Sequence, residues 1–166
     1  NEQRLVLAKE TINGDLMVRQ KYNSYGDLTQ NWISSFGSIK RINGNVHIGN
    51  QFEEFGELAV INGSLSFSNH IYQTKLKTLT PLEKVTGDLN LKNTHLSLGS
   101  LKIVEGNLNL RKTTINDLGS LEEVNGNVLN SKSQKDKIDL TNVTIRGKVR
   151  YYNDVFNDGE LTLPNH

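Results

Sequence analysis

The 166-residue chain contains no cysteine, which removes disulfide frameworks, thiolate metal sites and cysteine nucleophiles together. Its two prolines are too few for a disordered, proline-rich tail. No apolar run approaches the length of a membrane-crossing helix, so no membrane span is expected. An excess of one charge is missing as well. Lys plus Arg (19) against Asp plus Glu (18) leave +1, and nothing electrostatic argues for a nucleic-acid partner. Hydrophobic residues make up only 35%, low for a chain the size of one domain. The chain opens on Asn1 rather than Met, as expected of a trimmed or matured polypeptide.

Signatures of chemistry are equally scarce. The four histidines (His47, His70, His95 and His166) form no pair at metal-binding spacing. The G-x-S-x-G elbow, the P-loop and the G-x-G-x-x-G turn are all missing. Residues 154–159 (DVFNDG) superficially resemble a calcium loop, but Phe156 stands where an oxygen ligand is required. The expectation is a protein without catalytic residues, metal or cofactor. Asn62-Gly63-Ser64 and Asn142-Val143-Thr144 fit the N-glycosylation pattern, in a chain rich enough in Asn for chance matches.

What the chain has in abundance is Asn (21) and Gly (14), and both fall into a repeat. Five segments align without gaps: 36–48 (FGSIKRINGNVHI), 55–67 (FGELAVINGSLSF), 79–91 (LTPLEKVTGDLNL), 98–110 (LGSLKIVEGNLNL) and 118–130 (LGSLEEVNGNVLN). Partial copies at 12–18 and 145–151 extend the series to seven Gly-centred turns, at Gly14, Gly44, Gly63, Gly87, Gly106, Gly126 and Gly147. Alternation after each Gly, as in Leu108-Asn109-Leu110, predicts a short strand with one buried face. Spacing of three before it, as in Leu98, Leu101 and Val104, predicts an extended or 3₁₀-like connector. Positive φ is expected at the Gly itself. The residue after it is Asp, Asn or Ser in six of seven copies, a candidate polar ladder from coil to coil. One coil buries too little apolar surface to offset its ordering entropy, so stability has to come from stacking.

These residues resemble a family. Leu89-x-Leu91-x-x-Thr94-x-Leu96 and Leu108-x-Leu110-x-x-Thr113-x-Ile115 are similar to the core of leucine-rich repeats, with Thr in the Asn place. The preceding Val-x-Gly is closer to the receptor L-domain and to related repeats of bacterial surface proteins, although the L-domain's cysteines are missing here. The resemblance implies an all-β fold: a short right-handed parallel β-helix of about seven coils with capped ends. As one domain, residues 1–11 form an N-terminal cap (helix or strand), 12–130 the repeat coils, 131–152 a C-terminal coil or cap closing in a hairpin or edge strand, and 153–166 a tail. It also implies partner binding at the cell surface or in secretion.

Two places are left for recognition. The outward strand positions read Met17, His47, Ser66, Asn90, Asn109, Leu129 and Arg150, and two residues on they include Lys92, Arg111, Ser131 and Tyr152, with no acidic residue in either column. His47, Asn90, Lys92, Asn109, Arg111 and Arg150 are the candidate contacts; Lys92 and Arg111 could meet an anionic group together. The insertion at 19–35 adds Tyr22, Tyr25 and Trp32, Phe52 and Phe55 lie in the next coil, and Ile71 and Tyr72 fall in the longer third loop; these residues are read as a binding patch or as a lid over the solenoid. The functional expectation is a non-catalytic binding or adhesion module recognising protein or glycan. The alternative is a structural spacer within a larger polypeptide.

Overall fold

A computed structural model describes residues 10–18, 33–49, 52–68 and 75–154. It is a parallel β-solenoid built on two seven-stranded sheets. One sheet holds the odd strands: β1 (Thr11–Asn13), β3 (Arg41–Asn43), β5 (Val60–Ile61), β7 (Lys84–Val85), β9 (Ile103–Val104), β11 (Glu123–Val124) and β13 (Thr144–Ile145). The other holds the even strands: β2 (Leu16–Val18), β4 (Val46–Ile48), β6 (Leu65–Phe67), β8 (Leu89–Asn90), β10 (Leu108–Asn109), β12 (Val128–Ser131) and β14 (Val149–Tyr152). Every pairing joins equivalent residues of successive repeats, for example Leu89, Leu108 and Val128. A third side is held by the bridges Ser35–Glu54 and Thr78–Ser97. The corner that opens the repeat recurs five times, at Phe36, Phe55, Leu79, Leu98 and Leu118, giving five complete turns with a partial rung at either end, where about seven coils were expected. No helix among the described residues is long and apolar enough to cross a membrane.

One coil shows why this sequence turns where it does. Ser97 Oγ accepts the Gly99 N–H (3.1 Å), and Gly99 then takes φ +56°, which admits Gly at little cost. Asp117 and Gly119 repeat the device at 2.8 Å and +57°. The Leu101 N–H returns to the Leu98 carbonyl, and the chain enters β9 and passes Gly106 into β10. It leaves through Lys112 at φ +56°, and Thr113 Oγ1 donates to the Leu110 carbonyl (2.8 Å). Thr94 does the same to Leu91 one coil earlier (2.7 Å). Both threonines are buried, so the hydroxyl in the Asn place of the repeat closes its own corner. Leu98, Leu101, Val104, Leu108, Leu110 and Ile115 of this coil all point into one continuous core.

The structure corrects three expectations. The connector before Gly is not a connector throughout: its last two residues form the odd-numbered strand, so each coil carries two strands rather than one. Positive φ belongs mainly to the other Gly column, Gly37, Gly56, Gly99 and Gly119; in the column after the odd strands only Gly14 has it. That second column is required for space. A Cβ on Gly106 would lie 2.6 Å from the Gly87 carbonyl oxygen and would strike Asp88 Oδ1, and each Gly from Gly44 to Gly147 meets the turn beneath it in the same way. Phe52 and Phe55 belong neither to a surface patch nor to a lid. They are fully buried with Phe36, at ring-centroid distances of 4.6–5.9 Å; Phe36 and Phe55 fill, in the first two full coils, the inward position that Leu79, Leu98 and Leu118 take in the later ones. At the C-terminal end the structure takes the edge strand of the two closures expected: β14 lies parallel to β12.

The polar ladder is complete. Asp15, Asn45, Ser64, Asp88, Asn107 and Asn127 each accept, through the side-chain oxygen, the backbone N–H of the equivalent residue one coil on, at 2.7–3.0 Å. The series ends on Lys148, which has no oxygen to offer. A second, shorter ladder precedes the Gly: Asn62 Nδ2 donates to Asn43 Oδ1 (2.7 Å) and Asn43 Nδ2 to Asn13 Oδ1 (2.8 Å).

Two stability measurements test these assignments. Gly106→Ala, the smallest possible side-chain addition, should cost about 1–3 kcal/mol in denaturant unfolding, as overpacking does; unchanged stability would mean that the stacked turns can part freely. Asn107→Ala should cost about 1–3 kcal/mol by orphaning the Asn127 N–H, whereas Asn107→Asp keeps the acceptor and should cost clearly less.

Candidate functional site

The even-numbered sheet turns the middle residue of each strand outward, and the neighbouring side chains there lie one strand apart. Met17, His47 and Ser66 are in direct register. His47 Nδ1 lies 2.8 Å from Ser66 Oγ, fixing the imidazole against the sheet. Met17, 56% exposed, stands beside it. Together with Asp15, Asn45 and Ser64 they line an open depression of about 370 Å³ at the N-terminal end of the face. It offers a thioether and an imidazole as apolar surface, ringed by carboxylate, amide and hydroxyl groups. A second depression, about 330 Å³, lies between Lys77, His95, Ser97, Thr114, Asn116 and Asp117, with His95 Nδ1 at 3.0 Å from Thr114 Oγ1.

The central candidates are brought together in one sheet but are occupied by their own chain. Asn90 Oδ1 accepts the Lys92 N–H (3.1 Å), and Asn109 Oδ1 accepts the Arg111 N–H (3.0 Å). Each Asn thereby closes the turn that ends its strand, a local bond for which Asn is suited. Lys92 and Arg111 do follow one another in a column, as the Asn93 N–H bonded to the Arg111 carbonyl requires. Arg111, however, already has its anion. Its Nη2 and Nε donate to the two oxygens of Asp154 at 2.6 and 3.1 Å, and its guanidinium lies 4.1 Å from the Tyr152 ring centroid. Ser131 Oγ donates to the same carboxylate (2.7 Å) and accepts the N–H of Lys112, the residue held at positive φ. Arg150, on the last strand, is exposed. Tyr22, Tyr25 and Trp32 lie outside the described residues, as do Ile71, Tyr72 and most of the expected N-terminal cap.

Asp154 changes the reading of the C-terminus. It falls in the expected tail, yet its side chain is only 5% exposed and ties residue 154 to the fourth and fifth full turns. Burial alone would raise its carboxyl pKa. The hydrogen bonds from Arg111 and Ser131 and the positive charge of Arg111 and Lys112 outweigh that and hold it below the ordinary Asp value. The same pairing raises the Arg111 guanidinium. No local motif announces this contact, since the partners are 43 residues apart. Ser66, Asp15 and Asn45 are not among the candidate contacts that the sequence offers: Ser66 reads as one outward strand position, and Asp15 and Asn45 as members of the polar ladder.

Metal chemistry finds no anchor among the described residues: no three His, Asp or Glu side chains converge. The Asn62 sequon offers an amide nitrogen that is already engaged with Asn43, whereas Asn142 is exposed in a turn. Comparison with protein-family models, with curated proteins and with solved structures yields no match for this chain.

The clamp makes a pH prediction with a definite sign. A carboxylate held below its ordinary value contributes stability above that value, about 3.9, and loses it as pH falls through the lowered one. Asp154→Ala should therefore cost about 1.5–3 kcal/mol at neutral pH, the range for hydrogen bonds to charged groups. The gap to the wild-type protein should hold from pH 8 to about pH 5 and close below about pH 4, as read by thermal melts. A gap that is constant into strong acid would remove the carboxylate from the account.

Proposed function

We propose that this chain is a non-catalytic binding or adhesion module of a surface or secreted protein, taking a glycan or protein on the outward face of its even-numbered sheet. The observation that carries the reading is the depression around Met17, His47 and Ser66. It joins an exposed apolar side chain to a ring of fixed polar groups, the mixture that recognition surfaces use to combine contact area with orientation. The sheet beneath it is rigid, so the groups are held in place before a partner arrives. The Leu-x-Leu-x-x-Thr frame, of the leucine-rich-repeat and receptor L-domain type, supports partner binding and an extracellular setting. Lys92 and Arg150 extend the same face with positive charge, and neither makes a salt bridge among the described residues.

A second reading, a structural spacer within a larger polypeptide, is favoured by a different observation. The side-chain oxygens of Asn90 and Asn109 and the guanidinium of Arg111 are bonded within their own chain, which leaves less of the middle of the face open to a partner.

Glycan and protein arrays separate the two. The triple substitution Met17→Glu, His47→Ala, Ser66→Glu alters the depression without touching an inward residue. Binding should weaken at least tenfold, roughly 1.4 kcal/mol or more, while the strand-dominated circular dichroism is unchanged. Wild-type protein that binds nothing on either array favours the spacer.

A further inference from the structure

The two ends of the stack break the rule its interior keeps. In one inward column Leu89, Leu108 and Val128 are at most 1% exposed, whereas Val149, next in line, is 36% exposed. In the other, Val104 and Val124 are fully buried and Ile145 only partly. At the opposite end Ile12 and Leu16, in the same two columns, are again only partly buried. Met17 and Val149 are the large exposed hydrophobics among the described residues, one on each terminal coil. The outer edges of β1 and β2, and of β13 and β14, pair with no strand among the described residues.

These ends match in frame and oppose in charge. Residues 11–18 (TINGDLMV) and 144–151 (TIRGKVRY) carry the same pattern, so the step that stacks each coil on the last within the chain also fits the first coil onto the last. The C-terminal coil presents Lys148 and Arg150, together with Arg146, which already reaches Glu123 and Asn125 of the coil beneath, and it has no acidic residue from Thr141 to Tyr152. The N-terminal coil presents Asp15, together with Glu10, which already pairs with Lys40 of the next coil, and it has no Lys or Arg between Glu10 and Val18. Lys148 and Asp15 hold the same place in the ladder column.

We propose that the C-terminal coil of one copy receives the N-terminal coil of a second copy, continuing both parallel sheets in register. Ile12 and Leu16 cover Ile145 and Val149, and Asp15 meets Lys148. The contact uses two different patches, so it does not close on itself and extends into a chain of copies. Lys148 cannot accept the Asp15 N–H as an Asn would. An exposed ion pair replaces that bond, which makes the contact weaker than interior stacking and sensitive to salt.

The absence of native cysteine allows a direct test. Met17→Cys and Arg150→Cys place thiols in one outward column, six coil steps or about 29 Å apart within a chain, beyond disulfide reach. Docked ends bring them one step apart, within it. Under mild oxidation the double variant should give a reducible series of dimers, trimers and longer species. A mixture of the two single variants should stop at dimers and form them faster than either alone. In sedimentation equilibrium of the unmodified chain the average mass should rise with concentration, and Lys148→Glu should weaken association at least tenfold with unchanged circular dichroism. A chain that stays monomeric at every concentration overturns the proposal. So does either single variant dimerising as fast as the mixture, or a Lys148→Glu variant that associates like the wild type.

Discussion

Everything in this molecule depends on how closely one turn can lie on the turn before it. At the corner between the two sheets the backbones come into contact directly, and a Cβ on Gly106 would sit 2.6 Å from a carbonyl oxygen of the coil below. That spacing suits strand pairing on both flanks, and it also decides which side chains can follow. The residue after the Gly must reach the next coil's N–H with a short side chain ending in oxygen, and Asn, Asp and Ser all do so at 2.7–3.0 Å. A longer side chain there would overshoot, and an alkyl one would leave the N–H without a partner in a partly buried corner. Half of the chain's 14 glycines stand at this one contact, with Asn45, Asn107 and Asn127 beside them in the ladder.

The fold was legible in the sequence because stacking writes the same requirement into every coil. Inward Leu and Val, the Gly column and the Asx column recur at nearly constant spacing, and each has a one-residue meaning. What escaped was what is too short or too distant to form a pattern. A strand of two residues, such as Ile103–Val104, has no period to read, and five of the seven strands in the odd-numbered sheet are of this length. The reason for the Gly column was misread because a positive φ and a steric contact both select Gly, and sequence does not separate them. The left-handed conformation sits instead at Gly37, Gly56, Gly99 and Gly119, and at Gly37, Gly99 and Gly119 a Ser or Asp two residues earlier caps the turn. Phe52 and Phe55 read as surface because they adjoin an irregular segment, whereas the coil they belong to is packed around them.

The candidate site was legible only in part, for a related reason. Alternation identifies which side chains face outward, but it says nothing of what they meet there. Asn90 and Asn109 turn back on their own backbone, a choice made by the two residues that follow them. Arg111 is claimed by Asp154, whose approach depends on the whole last coil lying over the one before. A column of basic residues without an acidic neighbour in the same column is thus not an open anion site, because the counter-charge arrives from a segment outside the repeat. Met17, His47 and Ser66 are different in that no later segment among the described residues folds back to engage them beyond the His47–Ser66 contact.

A solenoid of this kind satisfies itself along its length and leaves its unsatisfied chemistry in few places. Inside, each backbone group and each inward side chain finds its partner in a neighbouring coil, so variation there acts on stability rather than on recognition. Outside, side chains that close turns are already committed. The remaining freedom lies where the series is interrupted: at the first coil, where an exposed Met17 has no preceding strand among the described residues, and at the last, where Lys148 ends the ladder and Val149 is exposed. The clamp from Asp154 to Arg111 and Ser131 belongs to the same logic, since it ties the last strand to coils already held by stacking. Regularity builds the rod, and the departures from it are where contact with other molecules has chemistry left to use.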